Sequence, residues 1–437
     1  DKTVAYVNEH MDTLSGISVN EDMIRKYNYS EYFSSIIGYT GPISESEYTA
    51  LHKKNKDYTQ NDTVGKAGME QYYETYLRGK NGEQKFYIDN VGRISEIISS
   101  TDSVAGDDLY LSIDADLQKA TYLALQNEIA AIVYSNIKSG EIPINDVYTA
   151  LIGNSVINTE HFSKAKASDT EKNVLSVFKS RQKTTLGKIK QELTSSPEAL
   201  NTMSDEVLDE FTYIISMLKD DQVLLKNEID TSDSVYQKWK NQKISPKEYL
   251  SYCITQHWID ISQLNVDEKY ADSTEVYDAL CKYILKNIKT DTEFSKIIYQ
   301  YMITRGEISP RQLCLILFDQ GVLDYDDATV NKLKNGSLSP RDFLMKKIYN
   351  IEITPAQLAL EPCTGSCVVT DEKTGEILAM VSYPGYDSNK LANGVDSEYF
   401  ASLQHDKSSP LLNYATQQKT APGSTFKLVS ATAGLAE

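Results

Sequence analysis

Ala421-Pro-Gly-Ser-Thr-Phe-Lys427, running on into Leu-Val-Ser-Ala-Thr-Ala-Gly-Leu-Ala-Glu437, is the stretch from which the chain is read. Pro-Gly makes a sharp entry, and the apolar run behind it predicts a helix. Ser424 and Lys427 are three residues apart, so a helix sets them on one face with the ammonium nitrogen in reach of the hydroxyl. The positive end of the helix dipole favours the neutral amine, which can accept the serine proton. The serine N–H, unpaired in a first turn, can serve as an oxyanion donor. Phe426 is expected to anchor the helix while the other face stays open. The same Ser-x-x-Lys spacing recurs at Ser135/Lys138, Ser163/Lys166, Ser176/Lys179, Ser180/Lys183 and Ser216/Lys219, where solvated helix faces are the plain reading. On chemistry alone, an ordinary serine-capped helix explains Ser424 as well as a nucleophile does.

Upstream of this stretch, Ser366–Asp371 and Glu376–Ser382 flank Glu372-Lys-Thr-Gly375 and predict a hairpin, both arms apolar enough for burial on two faces. Between about 136 and 357 the pattern is helical. Ser245-Pro, Ser309-Pro, Ser339-Pro and Thr354-Pro share one design: a capping hydroxyl, Pro at the first helical position, and an acid or amide three residues past the cap. Their spacings are unequal, so they are separate helix starts and not a repeat. Leu109–Ile113 alternates like a strand, and Asp114 is placed to cap a helix running to about Tyr134. Residues 1–107 read as an irregular α+β module, with Glu31–Tyr39 strand-like, Thr40-Gly-Pro42 a closing turn and Lys53–Asp62 a polar loop.

The chain has 437 residues, enough for two to four domains. Its net charge of −18, with no local basic patch evident, disfavours a nucleic-acid partner. No apolar run reaches the roughly 18 residues a membrane span needs. Five cysteines exclude a disulfide-built scaffold. Cys363 and Cys367 either pair across a turn or simply pack, and Cys253 with His257 is better explained by a core thiol and a surface imidazole than by a metal. The start at Asp1 without Met and the unaccompanied apolar helix at the end suggest a fragment.

Taken together, these motifs resemble those of a known family. Ala421–Lys427 resembles the active-serine motif of penicillin-binding proteins. Asp371–Pro384 with Tyr386-Asp-Ser-Asn389 resembles the hairpin and loop preceding it, and Asn413-Tyr-Ala415 resembles their Asn-Arg-Ala, with Tyr414 in the basic position. Leu111–Gln118 resembles the opening of the transpeptidase domain. Ile36–Gly41, Val64–Glu70 and Leu77-Arg-Gly79 resemble the pedestal, or dimerisation, module of class B members. The fold implied is α+β and multidomain. Residues 1–107 form the pedestal and 108–135 the start of a transpeptidase domain of antiparallel sheet and helices. Residues 136–357 form a large all-α insertion, and 358–437 the hairpin and active-serine helix of a transpeptidase domain left incomplete.

The resemblance implies a peptidoglycan cross-linking D,D-transpeptidase at the extracytoplasmic face of the bacterial cytoplasmic membrane, in division or elongation. Ser424 is the implied nucleophile and Lys427 its base, with stem peptides and β-lactams as ligands, no metal or organic cofactor, and cell-wall synthesis or division proteins as partners of the pedestal and insert. The family's Ser-x-Asn and Lys-Thr-Gly follow the nucleophile, whereas Ser18-Val-Asn20 and Lys373-Thr-Gly375 precede it and are decoys. The 437-residue piece is therefore expected to be inactive by itself, and the membrane anchor is not among its residues. The alternative is a non-catalytic scaffold or β-lactam sensor that binds partners through the pedestal and insert.

Overall fold

The computed structural model describes residues 2–436 apart from 11, 12, 15, 16, 18, 20–23, 89–93, 196, 197, 265 and 267–271, so Ser18 and Asn20 lie outside the described residues. The chain divides into two compact units, residues 1–129 with 361–437, and residues 130–360. Its sheets are small and antiparallel: β1 pairs with β2, β3 with β4, and β5 with β6.

The first unit opens with α1 (Lys2–Glu9), α2 (Ser30–Ile37), β1 (Thr40–Pro42), α3 (Glu45–Lys54) and β2 (Thr63–Gly65). Then come α4 (Gly68–Tyr72), α5 (Glu74–Leu77), β3 (Glu83–Ile88), β4 (Ile94–Thr101) and α6 (Ala115–Ser139), which crosses the boundary between units. Two expectations fail here. Glu31–Tyr39 is not strand-like, because Phe33 and Ile36 are three apart and bury one helical face, and Gly38 at φ 79° ends α2. Thr40-Gly-Pro42 is not a turn but β1, with Thr40 opposite Gly65. The expected polar loop Lys53–Asp62 begins only after α3, whose last residues are Lys53 and Lys54.

Charged groups tie this region together. Glu74 accepts from the Gly65 N–H at 2.7 Å and the Tyr58 hydroxyl at 3.2 Å. Arg78 pairs with Asp62, and its guanidinium lies 4.1 Å over the Tyr58 ring. The β2 backbone approaches so closely that a Cβ on Gly65 would stand 2.1 Å from the Glu70 carbonyl, which only glycine tolerates.

The second unit is helical. After the rest of α6 come α7 (Ile144–Gly153), α8 (Asp169–Thr194), α9 (Asp205–Asp220), α10 (Ser234–Lys240), α11 (Pro246–Thr255) and α12 (Ser273–Ile288). They are followed by α13 (Thr292–Thr304), α14 (Pro310–Asp319), α15 (Asp327–Asn335), α16 (Pro340–Tyr349) and α17 (Pro355–Leu358). No named strand falls among its described residues. α13 packs against α7, α8 and α9, and the core includes Leu151, Ile189, Phe211, Phe294 and Leu317. Each of the four hydroxyl-Pro signals starts a helix. Ser245, Ser309 and Thr354 form reciprocal capping boxes with Glu248, Gln312 and Gln357, and Ser339 accepts from the Asp342 N–H. Cys253 is buried in α11, while His257 lies beyond the end of that helix at φ 59°, so the two share no helix face.

The chain returns to the first unit with β5 (Gly365–Thr370), β6 (Ile377–Tyr383), α18 (Ser397–His405) and α19 (Lys427–Ala436). The hairpin forms as expected, with Gly375 at φ 76° and the Asp371 carboxylate accepting from Lys373 and Thr374 N–H. Only β6 becomes deeply buried. β5 alternates between half-buried and exposed, with Val368 48% exposed, because no described element covers its outer face.

Candidate active site

The hairpin strand β6 is the base on which the candidate site is assembled. One edge pairs with β5, and the other is met by the segment that opens α6. The Ser112 hydroxyl donates to Ile377 O at 2.7 Å, and Asp114 N–H donates to Leu378 O at 2.9 Å. Leu109–Ile113 is therefore not a ladder strand, since these contacts supply a side-chain bond and one backbone bond instead of a continuous pairing. Asp114 does cap α6, accepting from Leu117 N–H at 2.8 Å, but the helix runs to Ser139 and not to Tyr134.

Gln118, fully buried, completes the edge. Its amide oxygen accepts from Met380 N–H at 2.8 Å, and its nitrogen donates to Met380 O at 3.1 Å and to Tyr32 O at 2.8 Å. One turn on, the Tyr122 hydroxyl donates to Glu31 at 3.0 Å and accepts from Gly385 N–H at 3.1 Å. The loop after β6 is then fastened to α2. Tyr386 bonds Ser34 through both its N–H and its hydroxyl, and Ser388 N–H donates to the Ser30 hydroxyl. A Cβ on Gly385 would fall 1.9 Å from Glu31 O, so the loop lies directly on the α2 backbone. Reading the sequence singled out neither Tyr122 nor Ser34, and it included Gln118 only as the last residue of the Leu111–Gln118 motif, without a role. The one available signal was the i, i+4 spacing of Gln118, Tyr122 and Gln126 with the apolar stripe of α6, which the amides disguise as a solvated face.

Ser382, near the end of β6, fixes the approach to the serine motif. Its hydroxyl donates to Leu412 O at 3.2 Å and accepts from Tyr414 N–H at 2.9 Å. Asn413 donates to Ser35 O at 3.1 Å and accepts from Ala415 N–H at 3.0 Å. Tyr414 donates to Ser408 O at 2.7 Å, and burial raises its phenol above the usual range. Cys363 and Cys367 are free thiols, and burial pushes that of Cys363 up to about 11.

Ser424 lies in a single 3₁₀ turn, Gly423–Phe426, and Lys427 is the first residue of α19. Gly423 at φ 56° supplies the sharp entry that Pro-Gly implied. Lys427 N–H donates to Ser424 O, closing the turn, and the Thr425 hydroxyl donates to Pro422 O. In a 3₁₀ turn, side chains three apart eclipse, so Ser424 and Lys427 rise from one side of the backbone. No hydrogen bond joins the two side chains. Phe426 is 52% exposed and does not anchor the helix, and α19 buries none of its described residues, since no described residue packs over it. The turn can present a hydroxyl and an amine together, with both accessible. Of the other Ser-x-x-Lys serines, all belong to the helical unit.

Residues 1–111 match the Penicillin-binding Protein dimerisation domain, and residues 365–437 match the Penicillin binding protein transpeptidase domain. Neither match includes residues 112–364. Peptidoglycan D,D-transpeptidase MrdA of Salmonella typhimurium (strain SL1344) is 31% identical over 130 residues, 29% of this chain and 21% of that protein. Penicillin-binding protein 2A of Bacillus subtilis (strain 168) is 33% identical over 132 residues, 30% of this chain and 18% of that protein. The MrdA transpeptidase of Escherichia coli (strain K12) is 30% identical over 129 residues, covering 29% of this chain and 20% of that protein. The chain thus spans about a fifth of the length of these curated relatives.

Proposed function

We propose that this chain, whose two ends match the dimerisation and transpeptidase domains of penicillin-binding proteins, is the pedestal and nucleophile-bearing part of a class B peptidoglycan D,D-transpeptidase. Residues 136–357 are an insertion in its transpeptidase domain, and the enzyme works at the extracytoplasmic face of the bacterial cytoplasmic membrane. Among the described residues no helix is long and apolar enough to cross a membrane.

The observation that carries this reading is the tight turn that holds Ser424 and Lys427 in register with both accessible. The Ser424 hydroxyl attacks the penultimate D-Ala carbonyl of a stem peptide while Lys427 takes its proton. Terminal D-Ala leaves with a proton, and the acyl group passes from Ser424 to an amine of a neighbouring peptide. A β-lactam acylates the same oxygen by opening its ring. Neither step needs a metal or an organic cofactor.

The test is labelling with a fluorescent penicillin, using protein in which residues 1–437 are followed by the family's Ser-x-Asn and Lys-Thr-Gly motifs. One adduct at Ser424 is expected, with none in Ser424→Ala. Lys427→Ala should slow acylation by about 10²–10⁴, the usual worth of a general base. An adduct at Ser135, Ser163, Ser176, Ser180 or Ser216 would sink the assignment.

A further inference from the structure

In a chain of net charge −18, the fourteen residues from Ser234 to Lys247 hold four lysines and no acid. As a string the run is diluted by Trp239, Ile244 and Pro246, which is why no basic patch stood out. In the fold it makes one side of an open hollow of about 550 Å³ between α10 and α11. Val235, Ile244 and the Tyr252 ring supply apolar lining, Lys238 and Lys247 supply positive charge against the one lining acid, Glu248, and Ser251 lies among them.

Among the described residues, the nearby acids make no ion pair with these lysines, being held by neutral donors. Asp233 is committed to Val235 N–H, Tyr236 N–H and the Tyr252 hydroxyl, all at 2.8–2.9 Å. The Glu248 carboxylate turns back to Ser245 N–H and hydroxyl at 3.0 and 3.1 Å, closing the capping box of α11. Asp230 bonds Ser232. Lys247 donates to Thr194 O at 3.0 Å, and among the described residues Lys238, Lys240 and Lys243 make no ion pair. Trp239 of α10 stacks on Tyr249 of α11 with ring centroids 4.5 Å apart, which joins the two helices.

We propose that this hollow is a docking site for an acidic peptide segment bearing large apolar side chains, presented by a partner protein. Its volume lies within the range of about 300–1,000 Å³ typical of ligand sites, room for one or two such side chains. Their flanking carboxylates meet the unpaired ammonium groups, which adds steering and register. A plain polyanion has no use for the apolar lining, and a purely apolar segment leaves the lysines unanswered. Neither family match covers this unit, so the site is independent of the acyl-transfer reading.

The probe is a fluorescein-labelled twelve-residue peptide with Leu and Trp at i, i+3 spacing and Asp or Glu elsewhere, titrated against the whole chain at low and high salt. Binding should weaken as salt rises. The double variant Lys238→Glu/Lys243→Glu should weaken it at least about tenfold by reversing the complementary field. Ser251→Trp fills the hollow and should abolish binding, with the unfolding temperature of both variants unchanged as the control for folding. Several results overturn the proposal: no binding to the wild type, undiminished binding to Ser251→Trp, or equal binding of an oligoglutamate or of phosphatidylglycerol vesicles.

Discussion

Glu210 in α9 is 1% exposed, and one of its carboxylate oxygens is buried without a partner. One turn earlier, Glu206 has taken the local cations: Arg181 at 2.8 Å to each oxygen, and Arg305 at 2.6 Å. Burial first, and the Glu206 charge second, push the Glu210 carboxyl up to about 8 against an ordinary 4.5, outweighing Arg181 and Lys188. The folded state therefore keeps a proton that the unfolded chain releases. Its favourable contribution is complete below the unfolded value and is lost as pH rises towards 8, at up to about 1.4 kcal/mol per pH unit. Glu210→Gln should flatten that loss, so thermal unfolding at pH 5 and pH 8 should differ less in the variant than in the wild type. Equal pH dependence of the two would remove Glu210 as the cause. Nothing in the local sequence Asp205–Glu210 separates this carboxyl from its neighbours; only packing tells which of them face inward. The Ser424–Lys427 spacing is a local pattern that a sequence displays directly, whereas Gln118 matters only through Tyr32 and Met380, residues far away in sequence.

The elements most readily legible were those with their signals written into adjacent residues. The four hydroxyl-Pro starts needed only a cap and a residue three further on, and each begins a helix. Ser245 is fully buried, so Ser245→Ala should lower the stability of the helical unit by about 1–2 kcal/mol, the upper half of the range for a lost cap. Urea unfolding followed by circular dichroism measures it, and a change under about 0.3 kcal/mol would mean that the α11 cap is dispensable. Elements that depend on distant partners were misread. Thr40-Gly-Pro42 is a strand because Thr63–Gly65 lies beside it, and Leu109–Ile113 fails as one because its neighbour is held mainly by side chains. The far edge of β6 rests on Gln118, so Gln118→Leu strands the Met380 N–H and C=O together with the Tyr32 C=O. About 3 kcal/mol or more should be lost from the first unit, since three groups lose their partner at about 1–3 kcal/mol each.

At the scale of the whole molecule, the two units have separate buried sets. Phe33, Tyr122, Val381 and Tyr386 belong to the first, and the large helical cluster to the second. Separate cores predict separate unfolding, since cooperativity follows shared burial and not shared chain. The distribution of fluorophores makes this measurable. The chain has two tryptophans, Trp239 and Trp258, and both lie in the helical unit, so indole fluorescence follows that unit alone. Amide exchange at Ala379, Met380 and Val381 follows the hairpin of the first. Gln118→Leu should speed exchange at those amides while leaving the indole transition in place. Ser245→Ala and a rise in pH should move the indole transition and leave the hairpin amides unchanged. The helix α6 argues otherwise, since it carries Gln118 and Tyr122 in its first half and Val133 and Ile137 in the helical core. If its continuity transmitted stability, Gln118→Leu would shift both signals by the same free energy, and the chain would be one cooperative body.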